Sequence, residues 1–361
     1  MTIAKPSVRP DVKNSKLLSI EAARGLAAVI VVFYHAARHL KADFGFLPWH
    51  GVAQFGHTGV DFFFVLSGFI IFFVHRKDLG KPNRLLGYFE RRFTRIYPYY
   101  WISLCIGMLL VFVAGKQRLI DAGFIFLSAT LLPIDGDVGV AWTLQHEILF
   151  YLIFAVAIIN RRIGLGIFSG WLGFIIWNWM FRSVPYNVPF IDRLSAPVNI
   201  EFFFGIFAAF LVQEKLLKSF RLFTIMGSVF FLGFGIAEDF HVFNGYDASA
   251  RIAFGLSSML IVAGIAGANL HGFLKSPRIL VSLGSASYSI YLFHLVCIGV
   301  IYKLMSLAGL LTVIPVTMQY VILVSAGIGG GIVLSRLIEF PLLNVVRRSF
   351  GIVQRYRMIR A

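Results

Sequence analysis

Residues 17–40 read LLSIEAARGLAAVIVVFYHAARHL, an apolar run interrupted by Arg24 near one end and His35 near the other. An arginine at membrane depth costs roughly 2.5–3.5 kcal/mol on insertion scales, so such residues are rare and face a bundle interior or a wet cavity. Helical rise separates Arg24 from His35 by about 16 Å, about half a bilayer core. The interval is close to three full turns, which puts both side chains on one face. A cation and a titratable base at two depths on one face look like two ends of a pocket. The plain alternative is a snorkelling arginine and an interfacial histidine.

The rest of the chain sets that helix in a membrane. Of 361 residues, 58% are hydrophobic and only 14% charged, and 38 are phenylalanine; the mean hydropathy is +0.80. A soluble domain is nearer half apolar, so the chain reads as an all-α polytopic membrane protein. The basic N-terminus, MTIAKPSVRPDVKNSK, resembles a signal n-region, yet the apolar run after it is too long for an h-region and reads as an uncleaved first span. Apolar stretches of spanning length fall at about 17–38, 58–75, 97–114, 142–159, 163–181, 198–213, 222–237, 252–270, 282–302 and 315–338. They predict a bundle of about ten transmembrane helices, with 119–133 as a short re-entrant or interfacial helix.

A net charge of +16 would suggest nucleic acid in a soluble protein. Here the cations sort by side: with the N-terminus inside, 23 of the 33 Lys and Arg fall in inner segments and 8 in outer ones. That asymmetry predicts both termini in the cytoplasm and leaves no role for nucleic acid. The expected organisation is a cytoplasmic segment 1–16, a membrane domain 17–345 and a basic tail 346–361. Cys105 and Cys297 lie in apolar runs and read as packed thiols. No internal repeat, Gly-rich phosphate loop or low-complexity linker stands out.

Further polar residues stand inside or beside the spans. The loop HRKDLGKPNRLLGYFERRFTRIYPYYW, 75–101, places Arg92 and Arg95 three apart, on one helical face. Paired arginines suit phosphate oxygens; an anionic-lipid anchor is the alternative. GHTGVDFFFVLSGFIIFFVH, 56–75, carries Asp61 in its first turn, where an arginine or histidine is its natural partner, and Ser67-Gly68 at mid-span, suited to close packing. AWTLQHEILFYLIF, 141–154, carries Glu147, and GSASYSIYLFHLV, 284–296, carries Tyr291 and His294. By span parity His35, Asp61, Glu147 and His294 fall in the outer half, and Arg24, Arg92, Arg95 and Glu339 near the inner face. Two polar clusters at opposite ends imply a pore or chamber open to both sides.

Taken in order, Arg24 with His35, GVDFFFVLSGF, ERRFTRIYPYYW, WTLQHEILFY, SYSIYLFH and the terminal EFP strongly resemble acyltransferase family 3, over about 17–345, and within it bacterial exopolysaccharide O-acetyltransferases. The resemblance implies ten core helices in the bacterial inner membrane and acetyl-CoA arriving from the cytoplasm. It also implies transfer to a hydroxyl of a glycan or lipid-linked saccharide, with polysaccharide synthesis or export machinery as a possible partner. The family's essential pair maps onto Arg24 and His35, and its R-x-x-R motif onto Arg92 and Arg95. Some relatives carry a C-terminal SGNH-type domain; here transfer is expected of the membrane part or a partner.

The expected chemistry has Arg92 and Arg95 on the coenzyme phosphates, Arg24 on the cofactor or thioester, and His35 as general base, its unperturbed pKa near 6.5 suiting that role. Asp61 or Glu147 would orient the imidazole. His294 is the alternative base, with Tyr291 and Ser67 as secondary candidates. Direct transfer and a His35 acyl intermediate both fit, as do acetyl and another short acyl group. No metal is expected. A transporter or an export-complex component is the competing class, and visible repeats with matching broken helices, which would favour a transporter, are missing from the sequence.

Overall fold

The computed structural model describes residues 17–45, 48, 53–113, 115, 121–132, 139–182 and 184–349. Residues 1–16 and 350–361, which hold the expected N-terminal segment and most of the basic tail, lie outside the described residues, as do 119, 120 and 133 of the expected re-entrant segment.

The described residues form fourteen α-helices and no strand: α1 Leu18–Phe44, α2 Gly59–His75, α3 Leu85–Val113, α4 Ala122–Thr130, α5 Trp142–Ile159, α6 Arg161–Phe181, α7 Pro189–Ser195, α8 Ile200–Gln213, α9 Phe220–Asp239, α10 Ala248–Leu270, α11 Arg278–Ser285, α12 Ser287–Leu307, α13 Val316–Leu334 and α14 Phe340–Ser349. Among the described residues nine helices are long and apolar enough to span a membrane, or ten when α7 and the segment Pro197–Gln213, bent by 47°, count as one. A lipid core leaves no water for exposed backbone groups, which is why the apolar runs resolve into helices.

Three boundaries differ from the sequence expectation. α3 begins at Leu85, so Arg91, Arg92 and Arg95 lie inside the spanning helix rather than in a loop before it; Pro98 sits within that helix without ending it. The run expected at 282–302 is broken at Ala286 into α11 and α12. The last span runs through a π-helical turn, Ser335–Glu339, into α14. There Glu339 accepts from Ser335 (2.9 Å) and Ser289 (2.7 Å) and is almost wholly buried. It is therefore a satisfied packing residue, distinct from the arginine cluster it was grouped with.

The first helix is the hub. α1 touches α2, α10, α11, α12 and α13, joining an α2–α8–α10–α9 layer to an α11–α12–α13 layer. Its buried residues include Ala22, Gly25, Ala27, Ala28, Ala36 and Ala37, and small residues let membrane helices approach closely. α6 and α9 are mostly exposed apolar helices at the periphery, as lipid-facing helices are.

α2 crosses α8 at close range. A Cβ at Gly205 would meet the Val65 carbonyl and, at 2.6 Å, the Phe69 amide nitrogen; one at Gly68 would meet the Phe202 carbonyl. Both contacts are backbone, which cannot give way as a flexible side chain does. Gly205→Val is expected to destabilise the fold by about 1–3 kcal/mol or more. A lowered thermal unfolding midpoint of the detergent-purified chain checks this, and an unchanged midpoint contradicts it.

Candidate active site

Two helices bring cations to one chamber. Arg24 projects from α1, and Arg92 and Arg95 from α3, into a cavity of about 310 Å³ also lined by Ser67, Glu147, Tyr151, Tyr288 and Tyr291. Its remaining wall is apolar, including Phe63, Phe64 and Leu144. None of the three arginines forms an ion pair among the described residues. The Arg92 guanidinium lies 5.6 Å from the Tyr151 ring centroid and that of Arg95 5.8 Å from Tyr288, so aromatic faces hold both. The Arg92 Nε is buried without a hydrogen-bond partner. A low-dielectric chamber with three cations and one carboxylate is short of negative charge, and a buried charge left unpaired is costly. The chamber's electrostatics call for an anionic ligand.

Glu147 belongs to this chamber, not to the opposite cluster where span parity put it. Its Oε1 accepts from Ser67 Oγ (2.9 Å) and from the Tyr151 hydroxyl, and it lies within electrostatic reach of Arg24. Depth along a helix says how far a residue sits from the interface; the rotation of α5 against α2 decides which cavity it faces. The Ser67-Gly68 pair divides its labour: Gly68 makes the α8 crossing, and Ser67 ties Glu147.

Asp61 is also engaged elsewhere. It is fully buried and accepts from Arg251 Nη1 at 2.8 Å on each oxygen. Glu201, equally buried, lies beside that pair. Neither expected carboxylate is bonded to His35. The neighbour His35 does have is another imidazole: the His294 ring centroid is 4.9 Å away.

That histidine is held in one tautomer. His294 Nδ1 lies 2.7 Å from the Tyr291 carbonyl oxygen, an acceptor only, so Nδ1 carries the proton and Nε2 keeps its lone pair. Nε2 is buried with no partner. The rings connect outward and inward. Tyr34 is edge-on to His35 at 4.8 Å, and Tyr291, which lines the arginine chamber, is 6.0 Å from His294. The Tyr291 hydroxyl is tethered to Thr143 at 3.0 Å. The His35–His294 pair thus stands between the arginine chamber and the end of the bundle where α1 finishes.

The sequence expectation therefore splits. Arg24, Arg92, Arg95, Ser67, Glu147 and Tyr291 come together; His35 and His294 form a contiguous pair beyond them; Asp61 stands apart on Arg251. Arg251 went unrecognised because it precedes an apolar run and read as a loop cation. Thr143 carried no signal of its own. Among the described residues no group of three or more His, Cys, Asp or Glu could hold a metal ion.

Comparison with known proteins adds an independent finding. The family profile described as an acyltransferase domain matches residues 17–336. The chain is 28% identical over 319 residues to the exopolysaccharide production protein ExoZ of Rhizobium meliloti, covering 82% of this chain and 94% of that one. It is 27% identical over 164 residues to protein 2 in the picA locus of Rhizobium radiobacter, covering 39% of this chain and 81% of the relative. It is 26% identical over 306 residues to ORF330 of Acidianus two-tailed virus, whose name proposes an acetyltransferase, covering 79% and 85%. No solved structure matches the chain significantly.

Proposed function

The chain belongs to the acyltransferase-domain family, and from that premise we propose that it carries an acetyl group from acetyl-coenzyme A at the cytoplasmic face to a hydroxyl of an exported or cell-surface glycan. The observation that carries the reading is the arginine chamber leading to a histidine pair. Arg24, Arg92 and Arg95 supply the charge a coenzyme's phosphates need, and guanidinium forks suit phosphate oxygens. At about 310 Å³ the cavity is at the small end of ligand pockets, with room for an acyl-bearing arm rather than a whole coenzyme. The excess of Lys and Arg in alternate loops supports placing both termini in the cytoplasm of a bacterial inner membrane.

The reaction needs one proton moved twice. His35 takes the proton of the acceptor hydroxyl as its oxygen attacks the thioester carbonyl. As the carbon–sulfur bond breaks, the imidazolium returns that proton to the leaving thiolate. The role expected of a carboxylate passes to His294. His294 Nε2 has no partner among the described residues, and a His35 N–H that turned to it would leave the other His35 nitrogen as the base. Glu147, tied to Ser67 and Tyr151, balances part of the chamber's positive charge. The exopolysaccharide name of the Rhizobium meliloti relative supports a glycan acceptor.

The test is glycan mass spectrometry in a host lacking this gene. Complementation with the wild-type chain is expected to restore an acetyl mass increment on a surface polysaccharide. Restored membrane expression with no change in any glycan mass overturns the reading.

A further inference from the structure

At the end of the bundle where α1 finishes, a second cavity of about 480 Å³ is lined by Tyr34, Arg38, Lys41, His57, Glu238 and Tyr246, among others. Its one carboxylate spends one oxygen on a histidine: Glu238 Oε1 is 2.8 Å from His57 Nε2, Oε2 has no partner among the described residues, and the side chain is only 12% exposed. The loop backbone closes over it, since a Cβ at Gly245 would collide with the Glu238 carboxylate. Arg38 and Lys41, one helical turn apart, are both exposed and have no carboxylate partner among the described residues. Arg38 donates to the Tyr34 hydroxyl at 3.1 Å. A ligand in this cavity therefore meets two cations against one carboxylate.

The cavity also offers a flat aromatic surface. Tyr246 stacks on His57 at 4.4 Å between centroids and 17° between planes, and its hydroxyl is 2.5 Å from that of Tyr34. Despite both contacts it remains 53% exposed. Tyr34 joins this surface to the histidine pair, its ring lying 4.8 Å from His35 and 5.7 Å from His57.

We propose that this cavity is an acceptor subsite for an acidic saccharide residue, with the pyranose ring against Tyr246 and its carboxylate on Arg38 and Lys41. The proposal rests on the acyl-transfer reading above and adds the chemical class of the acceptor. The C–H face of a pyranose packs on an aromatic ring, and a carboxylate accepts charge-assisted hydrogen bonds from arginine and lysine. A lipid phosphate would use the two cations but has no use for the exposed ring beside them. A sugar held here brings the hydroxyl of its neighbour towards His35 across Tyr34.

The experiment uses the full chain in phosphatidylcholine nanodiscs, with an oligomer of glucuronic acid and its carboxyl-reduced neutral counterpart as probes. The acidic oligomer is expected to bind about tenfold tighter or more, and Arg38→Gln with Lys41→Gln to remove that preference without moving the unfolding midpoint. Tyr246→Ala is expected to weaken both probes. Equal binding of the two probes by the wild type, or a preference kept by the double variant, overturns the subsite. So does loss of the preference on adding phosphatidylglycerol, which makes it a lipid-headgroup site. A preserved preference with no acyl transfer to any glycan supports the subsite and sinks the reaction instead; transfer that ignores acceptor charge and both substitutions does the reverse.

Discussion

His35→Ala is expected to lower glycan acetylation by about 10²–10⁴-fold, the usual contribution of a positioned acid–base group, while leaving membrane expression unchanged. The effect is large because neither expected carboxylate can take the place of the imidazole. Asp61 is held by Arg251 and Glu147 by Ser67 and Tyr151, so neither can swing in as base without breaking its own bonds. His294→Phe is expected to cost less, since it keeps a ring beside His35 and removes only the nitrogens of the neighbouring imidazole. The two variants are compared by the mass-spectrometric acetyl increment per unit of membrane-inserted protein. Wild-type activity in His35→Ala removes His35 from the chemistry and moves the base to His294, whose Nε2 is already free to accept a proton.

Arg92→Ala and Arg95→Ala are each expected to raise the KM for acetyl-coenzyme A by about ten- to a hundredfold. A hydrogen bond to a charged group contributes about 1.5–3 kcal/mol, and 1.4 kcal/mol is a factor of ten. The loss falls on KM more than kcat because phosphates far from the thioester are bound alike before and during transfer. Arg92→Lys is expected to recover only part of the affinity, since an ammonium keeps the charge but not the planar fork. The measurement is a donor titration on purified chain in detergent, following thiol release. An unchanged KM in both variants makes the arginines lipid anchors, which was the other reading of a basic face beside a membrane interface.

Much of this molecule is legible from sequence because the lipid solvent is strict. Every spanning segment must satisfy its own backbone, so apolar runs of spanning length become helices wherever they occur. The run 17–40 was correctly legible as the organising helix, since an arginine and a histidine inside it need a protein-lined interior. The arginines of 91–95 were legible as a cluster through their spacing of three. Their setting was not, because nothing marks the start of α3 at Leu85 beyond a change in polarity that a loop would also show.

The partnerships were the illegible part. Asp61 and Arg251 are 190 residues apart, His57 and Glu238 181 apart, and Ser67 and Glu147 80 apart. Glu147 was grouped by depth with His35, Asp61 and His294 and instead lines the arginine chamber. Sequence by itself determined the class of the protein, the number and order of its spans within one or two, and the identity of its rare polar residues, because hydrocarbon penalises each such residue wherever it lies. Tertiary structure decided which of them meet. Helix rotation and tilt are set by backbone contacts such as Gly68 on α8 and Gly205 on α2, and a turn of one helix by a single residue, about 100°, moves a carboxylate from one cavity to another.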